Sequence, residues 1–372
     1  DNIQIIGVGG TSKSEDGTEV DLDGKKTKQI SFEFKDLEEW KDAIYAKIVQ
    51  KCGDRRYWED WAKDVAIIAE RHITRITALL EEGKPAHKKA FNSFLKSLKE
   101  NINPSIDQKE AIEMLAQHLI TKPVFDALFE NYSFVKSNPI SVAMNSILEI
   151  LDTQGFEKET GSLEKFYKSV QERATGIDNS EGRQRIIYEL YDKFFSKAFP
   201  RMSERLGIVY TPVEVVDFII HSANHALKTE FGKELTDEGV NILDPFTGTG
   251  TFIARLLRSG LIKSTDFQRK YSREIFANEI VLLAYYIAAI NIEENFHSIL
   301  GGQYKPFDGI TLTDTFQMYE SELDHTESLF PENNERIERQ KKAKISIVIG
   351  NPPYSAGQTS ANDNNQNFEY PN

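Results

Sequence analysis

The apolar pattern of this chain changes period once. Over residues 37–180 apolar positions recur at three- and four-residue spacing, which predicts amphipathic helices. Trp40, Ile44, Ile48 and Val49 share one helical face, and Trp58, Trp61, Val65, Ile68, Ile76, Leu79 and Leu80 make a longer run. Further helices are expected over 91–98, 111–119, 123–130 and 142–151. Gly83-Lys84-Pro85, Asn103-Pro104, Asn138-Pro139 and Gly155 separate them as breakers. No fixed repeat is present, which argues against a solenoid. The Trp and Phe residues of this region read as core.

Residues 176–182 are a polar break, and a helix is expected over 183–199. After Pro200 helical segments alternate with short apolar runs at 241–243, 274–277, 309–312 and 345–349. That alternation predicts a parallel sheet covered by helices. Ahead of all this, residues 1–36 read as two short strands, 3–8 and 29–34, around a polar tip. They form either a hairpin or the tail of an upstream domain.

Composition narrows the class. The chain has 372 residues, enough for two or three domains. With 40% hydrophobic and 28% charged residues it is expected to be soluble and globular. No apolar run approaches a membrane span, so no membrane partner is expected. The net charge of −13 argues against a generally basic nucleic-acid binder, although a local cationic groove remains compatible with it. Cys52 is the single cysteine, which excludes an internal disulfide framework and fits a reducing cytoplasm. The first residue is Asp1 and no signal-peptide pattern follows, so a fragment or processed product is expected.

Candidate chemistry begins at the last apolar run. Ile-Ser-Ile-Val-Ile-Gly, residues 345–350, reads as a short buried strand, with Asn351-Pro352-Pro353-Tyr354 at its carboxyl end. Open α/β sheets place their ligands there. Two prolines fix their own φ and donate no N–H, which leaves a rigid ledge of carbonyls. An amide before it and a phenol after it suit a planar group carrying an NH2. The Asn351 oxygen and the Pro352 carbonyl can accept two amine hydrogens, and Tyr354 can stack on the ring. Read alone, the same four residues are also a common surface turn.

A second signal lies upstream, in Asp244-Pro245-Phe246-Thr247-Gly248-Thr249-Gly250-Thr251-Phe252. Gly248 and Gly250 allow a tight turn and close backbone approach to a ligand. The helix start at Thr251 offers free N–H groups. Asp244 is an acceptor for an ammonium or a hydroxyl. The run is neither the full GxGxxG of nicotinamide enzymes nor a P-loop, and no Lys follows the glycines. Glu279 follows the next strand, where an acidic residue commonly holds ribose hydroxyls. Its distance from the glycines implies extra structure within 258–272. Asp314 ends the third strand and can face an adenine amine. Each acidic residue alone is equally an N-cap or a loop end.

Asp-Pro-Phe-Thr-Gly-Thr-Gly-Thr-Phe followed by Asn-Pro-Pro-Tyr resembles the S-adenosylmethionine-dependent DNA adenine-N6 methyltransferases, in the motif order of their gamma class. Tyr210-Thr211-Pro212 resembles the extra cofactor motif that this class carries upstream. The resemblance implies that Tyr210, Thr211 and Pro212 surround the methionyl group together with the stretch from Asp244 to Gly250. It implies Glu279 on the ribose and Asp314 near the cofactor adenine. It also implies catalysis by Asn351, Pro352, Pro353 and Tyr354 on an adenine flipped out of double-stranded DNA. Residues 56–62 (Arg-Tyr-Trp-Glu-Asp-Trp-Ala) and 71–76 (Arg-His-Ile-Thr-Arg-Ile) are similar to Type ISP single-chain restriction-modification enzymes. There a helical coupler joins a nuclease–helicase part to the methyltransferase.

The implied fold is α/β: a Rossmann-like methyltransferase sheet over 181–372, preceded by an all-α coupler-like domain over 37–180 and the hairpin or linker of 1–36. The sheet is expected to be incomplete, because the family continues with more strands and a target-recognition domain. Two other readings stand beside this one. A release-factor type protein glutamine methyltransferase also uses an Asn-Pro-Pro-Tyr loop, and a methyltransferase-like domain can serve as a non-catalytic scaffold.

Two further constellations are weaker. His221 and His225 lie four apart on an expected helix, a metal-binding spacing without a third ligand. Arg336, Arg339, Lys341, Lys342 and Lys344 form a basic cluster, read as a solvated face or as a contact to DNA phosphates.

Overall fold

β-Branched runs flanked by glycine or by turn residues make the strands here, and glycines and prolines set their ends. The computed structural model describes residues 12–13, 19–20, 55–128, 134–151, 211–318 and 328–353. The expected strands 3–8 and 29–34, the Trp40 helix, the 176–182 break, the 183–199 helix, Gly155, Tyr210 and Tyr354 lie outside these residues.

The chain divides into two compact units, Asp1–Asp54 and Arg55–Asn372. In the first, Ser12–Lys13 pairs antiparallel with Glu19–Val20, within the stretch expected to be a polar tip.

The second unit begins with helices α1 (Arg55–Glu81), α2 (Pro85–Asn101), α3 (Gln108–Leu128), α4 (Phe134–Ser137) and α5 (Pro139–Leu151). Their apolar stripes meet as the periodicity requires: Ile68, Ile76, Leu80, Phe91, Phe94, Leu98, Phe125 and Phe134 are all buried. Asn138 caps α5, its Oδ1 accepting the N–H groups of Ile140 and Ser141 at 3.1 Å each. One expected break is absent. Pro123 lies inside α3 rather than between two helices. Burial of Ile120 and Phe125 on either side holds the helix together across it. The Thr121 hydroxyl takes up the carbonyl of Gln117.

Next come α6 (Val213–Phe231), β1 (Asn241–Asp244), α7 (Thr251–Arg258), α8 (Ser264–Arg269), β2 (Ile275–Glu279), α9 (Leu282–Leu300), β3 (Ile310–Leu312), α10 (Pro331–Lys342) and β4 (Ile345–Val348). α6 runs to Phe231, where Gly232 turns it off in the left-handed region at φ 64°. The extra structure expected in 258–272 is α8 and a π-helical turn, Lys270–Glu274.

The sheet is parallel, in the order β3-β2-β1-β4. Strand order reverses at β1, so the loops leaving β1 and β4 diverge and open a crevice at their carboxyl ends. β2 is buried along its whole length. β4, expected to be buried, alternates between half-buried and exposed positions, with Val348 63% exposed. It pairs only with β1 among the described strands.

α9 is buried from Leu282 to His297. It lies between the sheet and the upstream helices, and its Tyr286 ring meets Phe125 and Phe134 edge-on at 5.9 Å. Such ring pairs each add about 0.5–1.5 kcal/mol beyond their burial.

Candidate active site

The loop after β1 is fixed at nearly every residue. The Phe246 N–H donates to Asp244 Oδ1 at 3.2 Å, and the Thr247 hydroxyl to the Asp244 carbonyl at 3.0 Å. The Thr247 N–H extends the ladder to the Asn278 carbonyl at 2.9 Å. Thr315 Oγ1 donates to the Pro245 carbonyl at 2.6 Å, and Asn291 Nδ2 to the Thr249 carbonyl at 3.0 Å. Thr249 and Thr251 share a hydroxyl contact of 3.3 Å at the start of α7.

The two glycines of this loop do different things. Gly250, at φ +83°, lies so close to α9 that a Cβ there would stand 3.0 Å from Ala288 Cα. It is a packing glycine. Gly248, at φ +56°, has nothing within 4 Å of its Cβ position. Its open side is where a ligand can approach the backbone.

Two carboxyl groups close the floor. Glu279 accepts the N–H of Gly248 at 2.7 Å through Oε2, and those of Ile280 and Val281 at 2.9 and 2.8 Å through Oε1. Burial nonetheless pushes it up to about 7, against the pull of these N–H groups. Asp244 is fully buried, and its Oδ2 has no hydrogen-bond partner. Burial, aided by the charge of Glu279, pushes Asp244 up to about 8. Neither carboxylate has an ion-pair partner among the described residues. A buried acceptor without a donor is costly unless something fills its place.

The end of β4 reaches the same place. The Ile349 N–H donates to the Leu243 carbonyl at 2.9 Å, carrying the pairing past the strand. A Cβ on Gly350 would stand 2.7 Å from Asp244 Oδ1, so any larger residue there displaces that carboxyl group. Asn351 Nδ2 donates to Thr211 Oγ1 at 3.1 Å, just before α6. Pro352 and Pro353 are exposed, and Pro212 is the residue before α6. Thus Asn351 is bonded to Thr211 and Gly248 to Glu279, while Gly350, the residue before Asn351, lies against Asp244.

Asp314 sits at the end of β3. Its Oδ1 accepts the Phe316 N–H at 2.9 Å, and its Oδ2 accepts Asn103 Nδ2 at 2.6 Å. Phe316 is 68% exposed and packs on Phe246 with ring centroids 5.5 Å apart, so the loops after β1 and β3 share an aromatic pair. Neither Phe316 nor Asn103 was among the expected site residues. The signal for the first was an aromatic two residues after a strand-end Asp. For the second it was only an Asn-Pro pair read as a breaker.

The basic cluster is not one solvated face. Arg336 is buried, pairing with Asp308 at 3.0 Å and donating to the carbonyls of Phe307 and Ile310. Arg339 donates to the Asp308 carbonyl. Lys341 pairs with Glu338 at 3.2 Å. Lys342 and Lys344 are exposed. Both arginines fasten α10 to the loop before β3. His221 and His225 are exposed on α6, and no group of three or more His, Cys, Asp or Glu able to hold a metal occurs among the described residues. No helix of the described residues is long and apolar enough to cross a membrane.

Comparison with known proteins places these features. Residues 57–182 match the family model of the Type ISP restriction-modification enzyme coupler domain, and 183–371 match that of the N-6 DNA methylase. No curated protein matches. A nuclease-deletion mutant of the Type ISP enzyme LlaGI, solved in complex with a DNA substrate mimic, is 53% identical with a TM-score of 0.79, over 90% of this chain and 27% of that one. The ATP-dependent Type ISP enzyme LlaBIII, bound to DNA, gives 53% and 0.79 over 90% of this chain and 22% of its own. The DrdV–DNA complex gives 34% and 0.74 over 87% and 31%. The chain therefore spans between 22% and 31% of the length of these structures. The helical region followed by a four-stranded parallel sheet is an incomplete Rossmann-like methyltransferase fold with a coupler domain ahead of it.

Proposed function

This chain belongs to the N-6 DNA methylase family of Type ISP restriction-modification enzymes, and on that premise we propose that it serves transfer of a methyl group from S-adenosylmethionine to the N6 amine of an adenine flipped out of duplex DNA. In this reading residues 37–180 are the coupler and residues from 181 the methyltransferase, of gamma-class motif order. A nuclease–helicase part and a target-recognition part belong to the same polypeptide.

One observation carries it. The partnerless oxygen of Asp244 and the Gly350–Asn351 loop meet at the crevice where strand order reverses. The donor set fits S-adenosylmethionine: an orphaned buried acceptor suits its ammonium or a hydroxyl, and the open side of Gly248 admits a close ligand. When bound, the cofactor supplies an electrophilic methyl on a sulfonium. Tyr210, Thr211, Pro212, Asp244, Pro245, Phe246, Gly248, Gly250 and Thr251 would hold its methionyl part, Glu279 its ribose and Asp314 its adenine.

The target amine is a weak nucleophile, because its lone pair is delocalised into the ring. Asn351 Oδ1 and the Pro352 carbonyl accept its two hydrogens and orient the nitrogen lone pair. Asn351 Nδ2 is held by Thr211, which leaves Oδ1 for this task. Pro353 stiffens the ledge. Tyr354 stacks on the flipped base, an interaction of about 1–3 kcal/mol. Positioning, rather than a strong base, supplies the rate.

The test uses the full natural polypeptide with labelled S-adenosylmethionine and plasmid DNA, beside an Asn351→Ala control, followed by digestion to nucleosides. Label in N6-methyladenine, absent from the control, is the expected result. Cofactor binding without label in DNA would overturn the DNA reading and point to a protein substrate or a scaffold.

A further inference from the structure

A turn of the helical region is bonded to Asp314, after β3. α2 ends at Asn101, and the chain turns through Ile102, Asn103 and Pro104 before α3. This turn is bonded on both sides. The Asn103 N–H donates to the Leu98 carbonyl at 3.1 Å, and the Ile106 N–H to the Asn103 carbonyl at 3.2 Å. The next residues form a capping box: Asp107 Oδ1 accepts the Glu110 N–H at 2.8 Å and Glu110 Oε2 accepts the Asp107 N–H at 3.1 Å. A turn so fixed is a rigid platform.

From it, Asn103 reaches Asp314. Its Oδ1 accepts the Ser105 N–H at 2.8 Å, and its Nδ2 donates to Asp314 Oδ2 at 2.6 Å. The amide has one consistent orientation: its oxygen must face the N–H and its nitrogen the carboxylate. The backbone agrees, since the Asp314 N–H donates to the Ile102 carbonyl at 3.3 Å. Neighbouring bonds tie the same helix end to the chain after β3. Asn334 Nδ2 donates to Asn101 Oδ1 at 2.6 Å and the Leu329 N–H to Ser97 Oγ at 3.2 Å.

We propose that Asn103 is a positioning residue for cofactor recognition. Its amide, carried by the helical region, holds Asp314 in the orientation that receives the cofactor's adenine amine. This rests on the reading of Asp314 given above. With Oδ1 held by the Phe316 N–H and Oδ2 by Asn103, the carboxylate cannot rotate, and each oxygen keeps a lone pair for a further donor. A carboxylate aimed in advance loses less on binding than one free to turn. The helical region thus completes the pocket, and a shift of its turn away from β3 releases Asp314 and weakens cofactor binding.

The experiment measures binding by calorimetry in the full natural polypeptide, with two ligands: S-adenosylhomocysteine, and its inosyl counterpart in which oxygen replaces the adenine amine. Wild type, Asn103→Ala, Asn103→Asp and Asp314→Asn are compared, with melting temperatures recorded on the same samples. Asn103→Asp keeps the acceptor for the Ser105 N–H but sets a carboxylate against Asp314, so a residue that only shapes the turn leaves it like wild type. Wild type is expected to prefer the adenosyl ligand by about 10–100-fold, the range of one charge-assisted hydrogen bond. Both Asn103 variants are expected to cut that preference roughly tenfold while inosyl affinity stays within about threefold. Retention of the preference in Asn103→Asp, with loss in Asp314→Asn, overturns the role of Asn103 alone. Retention of the preference in Asp314→Asn overturns the underlying reading of Asp314. Equal weakening of both ligands in the Asn103 variants makes Asn103 a structural residue and overturns the proposal.

Discussion

Asn351 Nδ2 donates to Thr211 Oγ1 at 3.1 Å across 140 positions of sequence, joining the loop after β4 to the entry of α6. With Nδ2 on Thr211, the amide oxygen is left for the crevice. Asn351→Ala should therefore abolish methyl transfer, by a factor on the order of 100 or more, while S-adenosylmethionine affinity stays within about threefold. Thr211→Val removes the anchor of this amide and should slow transfer by roughly tenfold. Single-turnover rates and equilibrium binding on the same preparations check both. Loss of cofactor affinity in Asn351→Ala would remove Asn351 from the transfer step.

The glycines of the loop after β1 predict a separation of stability from binding. Gly250→Ala drives a methyl against the α9 backbone at Ala288 and strains a positive φ. It should cost about 2–4 kcal/mol, by overpacking and backbone strain together. Gly248→Ala meets no protein atom within 4 Å and should cost about 1 kcal/mol for its φ. It should nevertheless weaken cofactor binding by about tenfold, because its methyl occupies the open side of the loop. Thermal unfolding and calorimetry would separate the two, and equal effects of both variants on binding would defeat the assignment.

Asp244 carries a pH signature. Its carboxyl is raised to about 8 by burial and by Glu279, well above an unfolded value near 4. The folded protein thus holds this proton more tightly than the unfolded chain, and the stabilisation is full below pH 4 and lost as pH rises toward 8. Asp244→Asn removes the cost of that buried charge. It should raise the melting temperature by several degrees at pH 8.5 and leave it nearly unchanged at pH 4. In wild type, cofactor affinity should rise over pH 6.5–8.5 as Asp244 ionises to meet a cationic group, a trend that Asp244→Asn flattens. Scanning calorimetry and binding titrations across that range are the measurements. A melting temperature that falls at pH 8.5 in the variant would show that Asp244 is not a buried, partnerless acid.

How much of this was legible depended on where each residue's partner lay. β1 and β4 could be read from their apolar runs and the Gly or Asp that ends them, because turn chemistry is local. The merger of two expected helices across Pro123 could not, since burial of Ile120 and Phe125 decides it. The half-exposed face of β4 was likewise hidden: five alternating residues say nothing about what lies across them. Arg336 looked like one charge of a cluster, and only the fold brings it to Asp308. Asn103 read as a breaker because Asp314 is 211 positions away. Glu279 was expected from its place after β2, but its hold on the Gly248 N–H needed the loop's shape.

The junction of the helical region with α9 carries the opposite pH signature. His118 lies buried between the Tyr286 hydroxyl, 3.0 Å from Nδ1, and Asn145 Oδ1, 3.2 Å from Nε2. Asn145 Oδ1 only accepts, so Nε2 carries the proton and Nδ1 accepts from Tyr286. Burial, outweighing the Asn145 bond, lowers the imidazole to about 4 from 6.5. The unfolded chain therefore takes up this proton first. Stability is full above pH 6.5 and drains away as pH falls toward 4, by roughly 3 kcal/mol over the window. His118→Gln keeps a polar side chain at the junction but cannot titrate. It should be less stable at pH 7 by about 1–3 kcal/mol, the cost of disturbing a buried hydrogen-bond pair, yet lose less on acidification. Denaturant midpoints at pH 7 and pH 5 test this directly. The gap between wild type and variant should narrow at pH 5, and a gap that widens would mean that His118 enters the folded protein charged.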